Sequence, residues 1–200
     1  MTEDPVFRPA TESDASILAA KITEVSPDVV DILLKDLVPG ISAESLLTMT
    51  LRDTSSHYSY KNCVLAEIGG KVAGLLFAYP AENQKIPVIM ETTVPAQRLD
   101  PVREILTAGE PDSLYVNTLW VDPDTRGQGL ADALIDYACF WAESLGLKYL
   151  SLFCWRDNSR AVSFYHRQGF KAVREITALG TLSKFHDRGD LYVRTLGDDD

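Results

Sequence analysis

The chain has 200 residues, of which 46% are hydrophobic and 9% aromatic, and this is enough apolar material for the core of one ordinary domain. The formal net charge of −10 argues against a nucleic-acid partner, because phosphate backbones are bound by clustered Lys and Arg. The sequence has neither a long apolar run nor an apolar leader segment, so we expect no membrane span, no secretory signal and a cytoplasmic protein.

The first half of the chain predicts a strand, a series of helices and then a β-hairpin. "VFRPAT" is short and extended, and the possible cap residues of the next helix are Thr11, Ser13 and Asp14. Pro27 just inside a Ser26 cap predicts a second helix over about 27–37, and another helical stretch is expected over 43–52. Two β-rich runs then meet at 69–71, where paired glycines favour a hairpin turn.

Residues 81–113 interrupt the alternation of strands and helices with several prolines. Within this segment Asp100 as cap, Pro101 at the first helical position and Gly109 as terminator predict one short helix. We therefore expect a single domain spanning residues 1–200 that contains an insertion carrying a short helix.

The second half predicts a regular succession of strands and helices. In the fourth strand, "SLYVNTLWVD", a period of two places four residues on one face: Tyr115, Asn117, Leu119 and Val121. An amphipathic helix begins at Leu130 and ends at Gly146, "LKYLSLFCW" forms a fifth strand, and Asp157 or Asn158 can cap the next helix. Two strand-like runs and an acidic tail at 197–200 complete the chain. This order predicts an α/β fold with a mixed sheet of about six or seven strands.

Three cysteines and three histidines offer little chemistry of their own. Cys63, Cys139 and Cys154 are odd in number, widely separated and set in apolar segments, which is typical of reduced thiols in a core. Neither they nor the histidines have the spacing of metal ligands, so we expect no metal.

The stretch "VDPDTRGQGLADAL" joins the fourth strand to a helix through a turn with few side chains. The first N–H groups of a helix lack internal partners and carry partial positive charge, so Gly127, Gly129 and the charge of Arg126 suit a phosphate or pyrophosphate. No Walker sequence is present, and Asp132 stands where a dinucleotide-binding turn needs Gly or Ala. A tight turn whose glycines serve geometry alone is the alternative.

Two motifs together resemble those of the GNAT N-acetyltransferase superfamily. "VDPDTRGQGLADAL" is similar to its acetyl-CoA signature, Arg-x-x-Gly-x-Gly/Ala, which is met here by Arg126, Gly129 and Ala131. "DNSRAVSFYHRQGFKAV" is similar to its later motif of Asn, Ala, an aromatic pair and Gly-Phe. The resemblance covers most of the chain apart from 81–113, and it implies a GNAT fold in which strands four and five splay apart to admit acetyl-CoA.

The resemblance also implies roles for particular residues. The residues that would bind the pyrophosphate are Arg126, Gly127, Gln128, Gly129, Leu130 and Ala131, and those that would pair with the pantetheine arm are Leu119, Trp120 and Val121. Asn158 and Tyr165 are two helical turns apart and so lie on one side of a helix. The resemblance puts Asn158 on the pantetheine and Tyr165 beside the leaving thiolate as general acid, which an ordinary tyrosine pKa near 10 would suit. Spacing alone favours a simple cap and a core aromatic.

The implied activity is transfer of an acetyl group from acetyl-CoA to a primary amine of a small molecule or peptide, by direct attack in a ternary complex. Many family members carry a Glu on strand four, whereas this chain has Asn117, which cannot accept a proton at neutral pH. Asp157 and Glu67 are possible bases, and the base stays unassigned. This departure leaves open a non-catalytic acyl-CoA-binding sensor or regulatory module.

The acceptor and the oligomeric state are the least constrained expectations. The negative net charge favours a cationic amine. Trp155 and Tyr115 are candidates for the acceptor pocket, and core packing is the alternative for both. The insertion at 81–113 could cover the acceptor side or build a dimer contact. Family members often pair through the last strands of their sheets, so the resemblance also implies a homodimer.

Overall fold

A seven-stranded mixed sheet forms the centre of the computed structural model, which describes residues 4–197. The strands are β1 Val6–Pro9, β2 Cys63–Ile68, β3 Lys71–Pro80, β4 Ser113–Val121, β5 Tyr149–Trp155, β6 Lys171–Thr177 and β7 Arg188–Thr195. Their spatial order is β1-β2-β3-β4-β5-β7-β6, and all neighbours are antiparallel except β4 and β5. The predicted α/β fold with a mixed sheet is confirmed. Residues 198–200 of the predicted acidic tail lie outside the described residues.

Seven α-helices of the described chain cover both faces of this sheet. They are α1 Ala15–Val25, α2 Pro27–Leu34, α3 Ala43–Arg52, α4 Val88–Thr93, α5 Ala96–Leu106, α6 Leu130–Ser144 and α7 Ser159–Arg167. Leu134 and Ile135 of α6 are buried against one face, and Leu18 of α1 and Leu51 of α3 are buried against the other. A third apolar cluster joins α2 to α5. No helix among residues 4–197 is long and apolar enough to cross a bilayer.

Local sequence signals explain most element boundaries. Gly69 and Gly70 both have positive φ, as a two-residue hairpin between β2 and β3 requires, and this confirms the predicted turn. Before α1, the Asp14 carboxylate accepts hydrogen bonds from the Thr11 backbone N–H and hydroxyl at 2.7 and 2.8 Å, rather than capping the helix itself. Arg8 donates to the same carboxylate and holds the pKa of Asp14 well below its usual range.

The second helix is shorter than predicted. It ends at Leu34 rather than near 37, and Asp36 just beyond has a φ of +54°, which no helix can continue. Ser26 stands at the predicted cap position but its side chain makes no capping bond; its carbonyl accepts from the Val30 N–H at 3.1 Å. The helix predicted over 43–52 is confirmed as α3.

The helix prediction for residues 81–113 is wrong in its number and bounds. Two helices occupy this segment, and α5 begins at Ala96, so Pro101 lies inside a helix rather than at its start. Pro101 costs α5 a backbone hydrogen bond, but its ring packs against Gly180, where an added Cβ would approach Pro101 Cγ to 2.9 Å. Tertiary packing therefore outweighs the local preference. Gly109 does not end the helix; it fits closely against Ala81 and the Gln84 side chain.

The cysteines are free thiols, as predicted. Cys63 and Cys154 are buried, and Cys139 is half-buried on α6. Burial raises the pKa of the Cys154 thiol to about 12, so this sulfur is not a thiolate at neutral pH. Residues 4–197 contain no group of three or more His, Cys, Asp or Glu side chains arranged to hold a metal ion.

Candidate active site

Strands β4 and β5 are neighbours over only part of their length. Three residue pairs join them, the last of which sets Tyr115 opposite Ser151. Beyond this pair both strands continue without pairing to each other, β4 to Val121 and β5 to Trp155. The predicted splay is therefore confirmed, and it leaves the β5-facing edge of β4 without a strand partner in the described chain.

A β-bulge at Asn117 interrupts the alternation of faces along β4. Asn117 is an extra residue between two positions that pair with consecutive residues of β3. Tyr115, before the bulge, packs on the α1 side, whereas Leu119 and Val121, after it, pack on the α6 side. The prediction that Tyr115, Asn117, Leu119 and Val121 share one face is wrong, because one extra residue reverses every face beyond it.

The turn between β4 and α6 leaves open space above the start of the helix. Gly127 and Gly129 have φ values of +79° and +84°, in the left-handed region that favours glycine. A Cβ added at either position would meet no atom within 4 Å. Gly129 is the N-cap of α6 and supplies no side chain, so the first N–H groups of this helix are available to an anion.

We call the cavity of about 660 Å³ beside this turn the donor-side cavity. It contains every predicted cofactor-binding residue except one: Leu119, Trp120, Val121, Arg126, Gly127, Gly129, Leu130, Ala131 and Asn158. The exception is Gln128, whose side-chain Nε2 donates to the Asp124 carbonyl at 3.3 Å instead of facing the cavity.

Three arginines and two carboxylates, Glu24 and Asp132, line the donor-side cavity, so positive charge is in excess there in an otherwise acidic protein. Arg126 extends from the glycine turn, and its Nε donates to the Val121 carbonyl at 3.1 Å. Arg160 and Arg167 line the cavity from α7. These two were not predicted from the sequence, although their spacing of seven residues places both on one side of the helix.

Asn158 and Tyr165 line both this cavity and a second one on the other side of the splay. Asn158 is the N-cap of α7, since its Oδ1 accepts from the Ala161 N–H at 3.2 Å. The two alternatives for Asn158 are thus compatible: its oxygen caps the helix while the residue faces the cavities. The ring of Tyr165 packs on Phe170, with ring centroids 5.6 Å apart.

The environment of Tyr165 changes its acidity. Burial raises the pKa of its hydroxyl well above the usual range, and the nearby Cys154 and Tyr115 add to the effect. The expectation of an ordinary tyrosine pKa is therefore wrong. The hydroxyl remains protonated throughout the neutral pH range, which keeps it a proton donor.

We call the second cavity, of about 240 Å³, the acceptor-side cavity. Its aliphatic wall comes from α2, α4 and α5 and includes Val29, Val30, Leu33, Met90, Ile105 and Leu106. Its aromatic wall is formed by Tyr58, Phe77, Tyr115, Phe153 and Trp155. Both candidates for an acceptor pocket, Tyr115 and Trp155, thus line it. The Asn117 amide also lines it, and donates to the Tyr79 hydroxyl at 3.1 Å.

The two candidate bases lie outside both cavities. Glu67 accepts a hydrogen bond from Arg8 at 2.8 Å at the far end of the sheet. Asp157 bonds to the Nδ1 atom of His186 at 2.7 Å and lines neither cavity. No Asp, Glu or His lines the acceptor-side cavity, so the base stays unassigned among the described residues.

The fold is that of known acetyltransferases. It is similar to the crystal structure of an N-acetyltransferase from Staphylococcus aureus Mu50, with a TM-score of 0.69, 20% identity and coverage of 94% of this chain and 99% of that one. A second acetyltransferase structure matches with a TM-score of 0.68, 24% identity and coverage of 96% and 100% of the two chains.

The sequence comparison gives the family. The model of the acetyltransferase (GNAT) family matches residues 27–170, so the chain belongs to this family. A segment of 83 residues is 34% identical to a peptidyl-lysine N-acetyltransferase of Salmonella typhimurium, covering 40% of this chain and 51% of that protein. The chain spans about half or less of the curated relatives that it matches.

Proposed function

We propose that this protein transfers an acetyl group from acetyl-CoA to a primary amine. One observation carries the proposal: the open glycine turn and the unpaired end of β4 line the same cavity, and Tyr165 lies at its junction with a second cavity, which the unpaired end of β5 lines. Two ligands that enter from opposite sides would therefore meet beside one proton donor, as a direct transfer in a ternary complex requires.

The donor-side cavity suits the phosphorylated end of acetyl-CoA. A diphosphate would bind at Gly127 and Gly129 through the first N–H groups of α6, with Arg126, Arg160 and Arg167 supplying positive charge. The pantetheine arm would lie along the unpaired edge of β4 at Leu119, Trp120 and Val121, much as an added strand does. Asn158, at the start of α7, would contact the same arm from the opposite wall of the cavity.

Acetyl-CoA would supply a thioester, whose acetyl carbon bonds to the amine nitrogen as its carbon–sulfur bond breaks. The Tyr165 hydroxyl, kept protonated by burial, would donate its proton to the departing sulfur and regain one from solvent. A backbone N–H near Leu119 would stabilise the charge that develops on the carbonyl oxygen.

The proton of the amine has no side-chain acceptor in this scheme. The acceptor-side cavity contains no carboxylate or imidazole among the described residues, and Asn117 cannot take a proton. The amine would therefore enter in its neutral form, and the further proton that its nitrogen loses on becoming an amide would pass to water. Met90, Ile105 and Leu106 support the proposal that residues 81–113 cover the acceptor side.

A thiol-release assay with acetyl-CoA and a broad panel of amines tests the proposal. We expect acetyl-CoA to bind at micromolar levels by calorimetry and thiol to be released in an amine-dependent manner. Binding without release across the panel would favour the regulatory module. Tight binding of ATP or NAD with none of acetyl-CoA would contradict the proposal altogether.

A further inference from the structure

The acceptor-side cavity differs in chemistry from the protein around it. The whole chain carries a formal net charge of −10, yet no Asp, Glu, Lys, Arg or His of the described residues lines this cavity. A cationic group buried there would lose its hydration without gaining a counter-charge, which is strongly unfavourable. The acidic surface therefore does not extend to the place where an acceptor would sit.

Two carboxylates that are next in sequence to lining residues of this cavity are both bonded to one histidine. Asp28 lies in the first turn of α2, directly before the lining residues Val29 and Val30, and its side chain bonds to His186 Nε2 at 3.1 Å. Asp157 bonds to the other nitrogen of the same ring at 2.7 Å. The His186 ring stacks on Trp155 with an interplanar angle of 7°, so this cluster closes the outer side of an aromatic wall. If a polyamine bound with one amino group at the reaction centre, its other ammonium group would have to compete with His186 for either carboxylate.

The size of the cavity suits a compact body that is mostly apolar, because the lining is mostly aliphatic and aromatic and its polar side chains are uncharged: Ser26, Thr50, Asn117, Thr118 and Asn158. An apolar cavity of about 150 Å³ is enough to hold benzene, and this one measures about 240 Å³. The rings of Phe153 and Trp155 pack edge to face with their centroids 4.7 Å apart, so both ring faces and ring edges are presented to an aromatic guest. The opposite wall includes Met90, a flexible side chain that adapts to different apolar shapes.

We propose that the acceptor is a primary amine attached to an uncharged apolar body, that is, an arylalkylamine or alkylamine, rather than a polyamine or a basic peptide. This inference rests on the proposed acetyl transfer for the identity of the cavity, but it concerns recognition and can be measured without turnover. The reacting nitrogen is the only charge that such an amine carries, and it must be neutral to attack a thioester.

Calorimetric titration of the wild-type protein, with coenzyme A present to prevent turnover, gives the direct test. The probes are 2-phenylethylamine, hexylamine, agmatine and spermidine, titrated into the same preparation. We expect the two apolar amines to bind at least about tenfold more tightly than the two polycations. Equal or tighter binding of agmatine or spermidine, or no binding of either apolar amine, would overturn the inference.

A pair of neighbouring residues on α4 provides matched variants. Met90 lines the cavity, whereas Ile89 is 65% exposed and does not. We expect Met90→Glu to weaken binding of 2-phenylethylamine at least tenfold and to strengthen binding of agmatine, and Ile89→Glu to change neither. Thermal melts of both variants exclude unfolding as the cause. The same loss in both variants, or in neither, would contradict the proposed wall.

Thiol release separates this inference from the proposed function. If apolar amines bind selectively but no amine releases thiol, the apolar acceptor site stands and acetyl transfer fails. If polycations alone release thiol, acetyl transfer stands and the apolar acceptor class fails.

Discussion

The two cavities that meet at Tyr165 are opposites in their construction. The donor-side cavity is wide, lined by charged side chains and the glycine turn, and built mostly from the two motifs that are readable in the sequence. The acceptor-side cavity is smaller, uncharged and mostly apolar, and it is assembled from α1, α2, α3 and the segment 81–113 as well as the sheet. A shared cosubstrate needs fixed backbone geometry, whereas an individual acceptor is selected by side chains from many elements. The first can therefore be recognised in one sequence and the second cannot.

The largest expected effect lies where the cavities join. Replacing Tyr165 by Phe removes the proton donor but keeps the ring packed on Phe170. We expect kcat to fall at least about 100-fold, because general acid catalysis typically contributes this much. The dissociation constant of acetyl-CoA should stay within about threefold of the wild-type value. An unchanged kcat would remove Tyr165 from the chemistry.

The donor side alone should respond to Gly129→Val. A branched side chain there would strain a residue at φ +84° and fill the open space where the diphosphate is proposed to bind. We expect acetyl-CoA to bind at least about tenfold more weakly, with binding of the amine unaffected.

Gly40→Val is the matched control for this variant. Gly40 has a φ of +78° and equally open surroundings but lines neither cavity, so it incurs similar strain without a ligand effect. The two variants should have similar melting temperatures, and equal affinities for acetyl-CoA would show that the glycine turn does not hold the phosphates.

Smaller effects are expected from the arginines that only the structure identified. Arg160→Ala and Arg167→Ala should each weaken acetyl-CoA binding by about fivefold, since an exposed charge contact contributes about 1 kcal/mol. Raising the salt concentration should reduce the difference from wild type, because exposed charges are screened. Arg103 lies on α5 and does not line the donor-side cavity, so Arg103→Ala should leave the affinity for acetyl-CoA unchanged. Salt-independent losses would indicate a packing role.

The effect expected to change ligand binding least is a pH dependence of folding stability at His57, whose ring lies beside Tyr58 of the aromatic wall. Burial lowers the pKa of His57, whose ring lies 4.5 Å from that of Tyr79, from 6.5 to about 4. The pKa of His57 is lower in the folded protein than in the unfolded chain, so the neutral ring contributes stability above pH 6.5. This contribution is lost as pH falls towards 4. We expect a loss of about 1–2 kcal/mol, since the half-buried ring keeps some hydration.

Denaturant unfolding of wild type and His57→Phe over pH 4–7 measures this contribution. The difference between the two stability curves should decrease steadily as the solution is made more acidic between pH 6.5 and 4. A difference that does not vary with pH would show that His57 is protonated as readily in the folded protein as in the unfolded chain.

The accuracy of the sequence-based predictions varied with the range of the interactions involved. The hairpin at Gly69 and Gly70 and the helix at 43–52 depend on neighbouring residues, and both were predicted correctly. The start of α5 was predicted wrongly, since the helix begins at Ala96 and contains Pro101, which packs against Gly180, far away in sequence. The bulge at Asn117 was not predicted, because it arises from the pairing of β4 with β3 and no residue type in the sequence indicates it.

The candidate site shows the same division. The glycine turn and the pair Asn158 and Tyr165 were predicted from spacing and from the family resemblance, and all of them line the cavities. The raised pKa of Tyr165 could not be predicted, because it depends on burial by residues from other elements. The absence of charged side chains from the described lining of the acceptor-side cavity could not be predicted either, since composition and net charge describe the whole chain.

The short junction between β4 and β5 divides the sheet into a ribbon of four strands and a ribbon of three. Past Tyr115 the strand in the middle of the sheet has the hydrogen-bonding character of an outer strand, with donors and acceptors that need a partner. Amide hydrogens at 116–121 that point towards β5 should therefore exchange with solvent faster than those that point towards β3. A ligand that fills the gap would tie the ribbons together, slow this exchange and raise the melting temperature in proportion to the logarithm of its concentration.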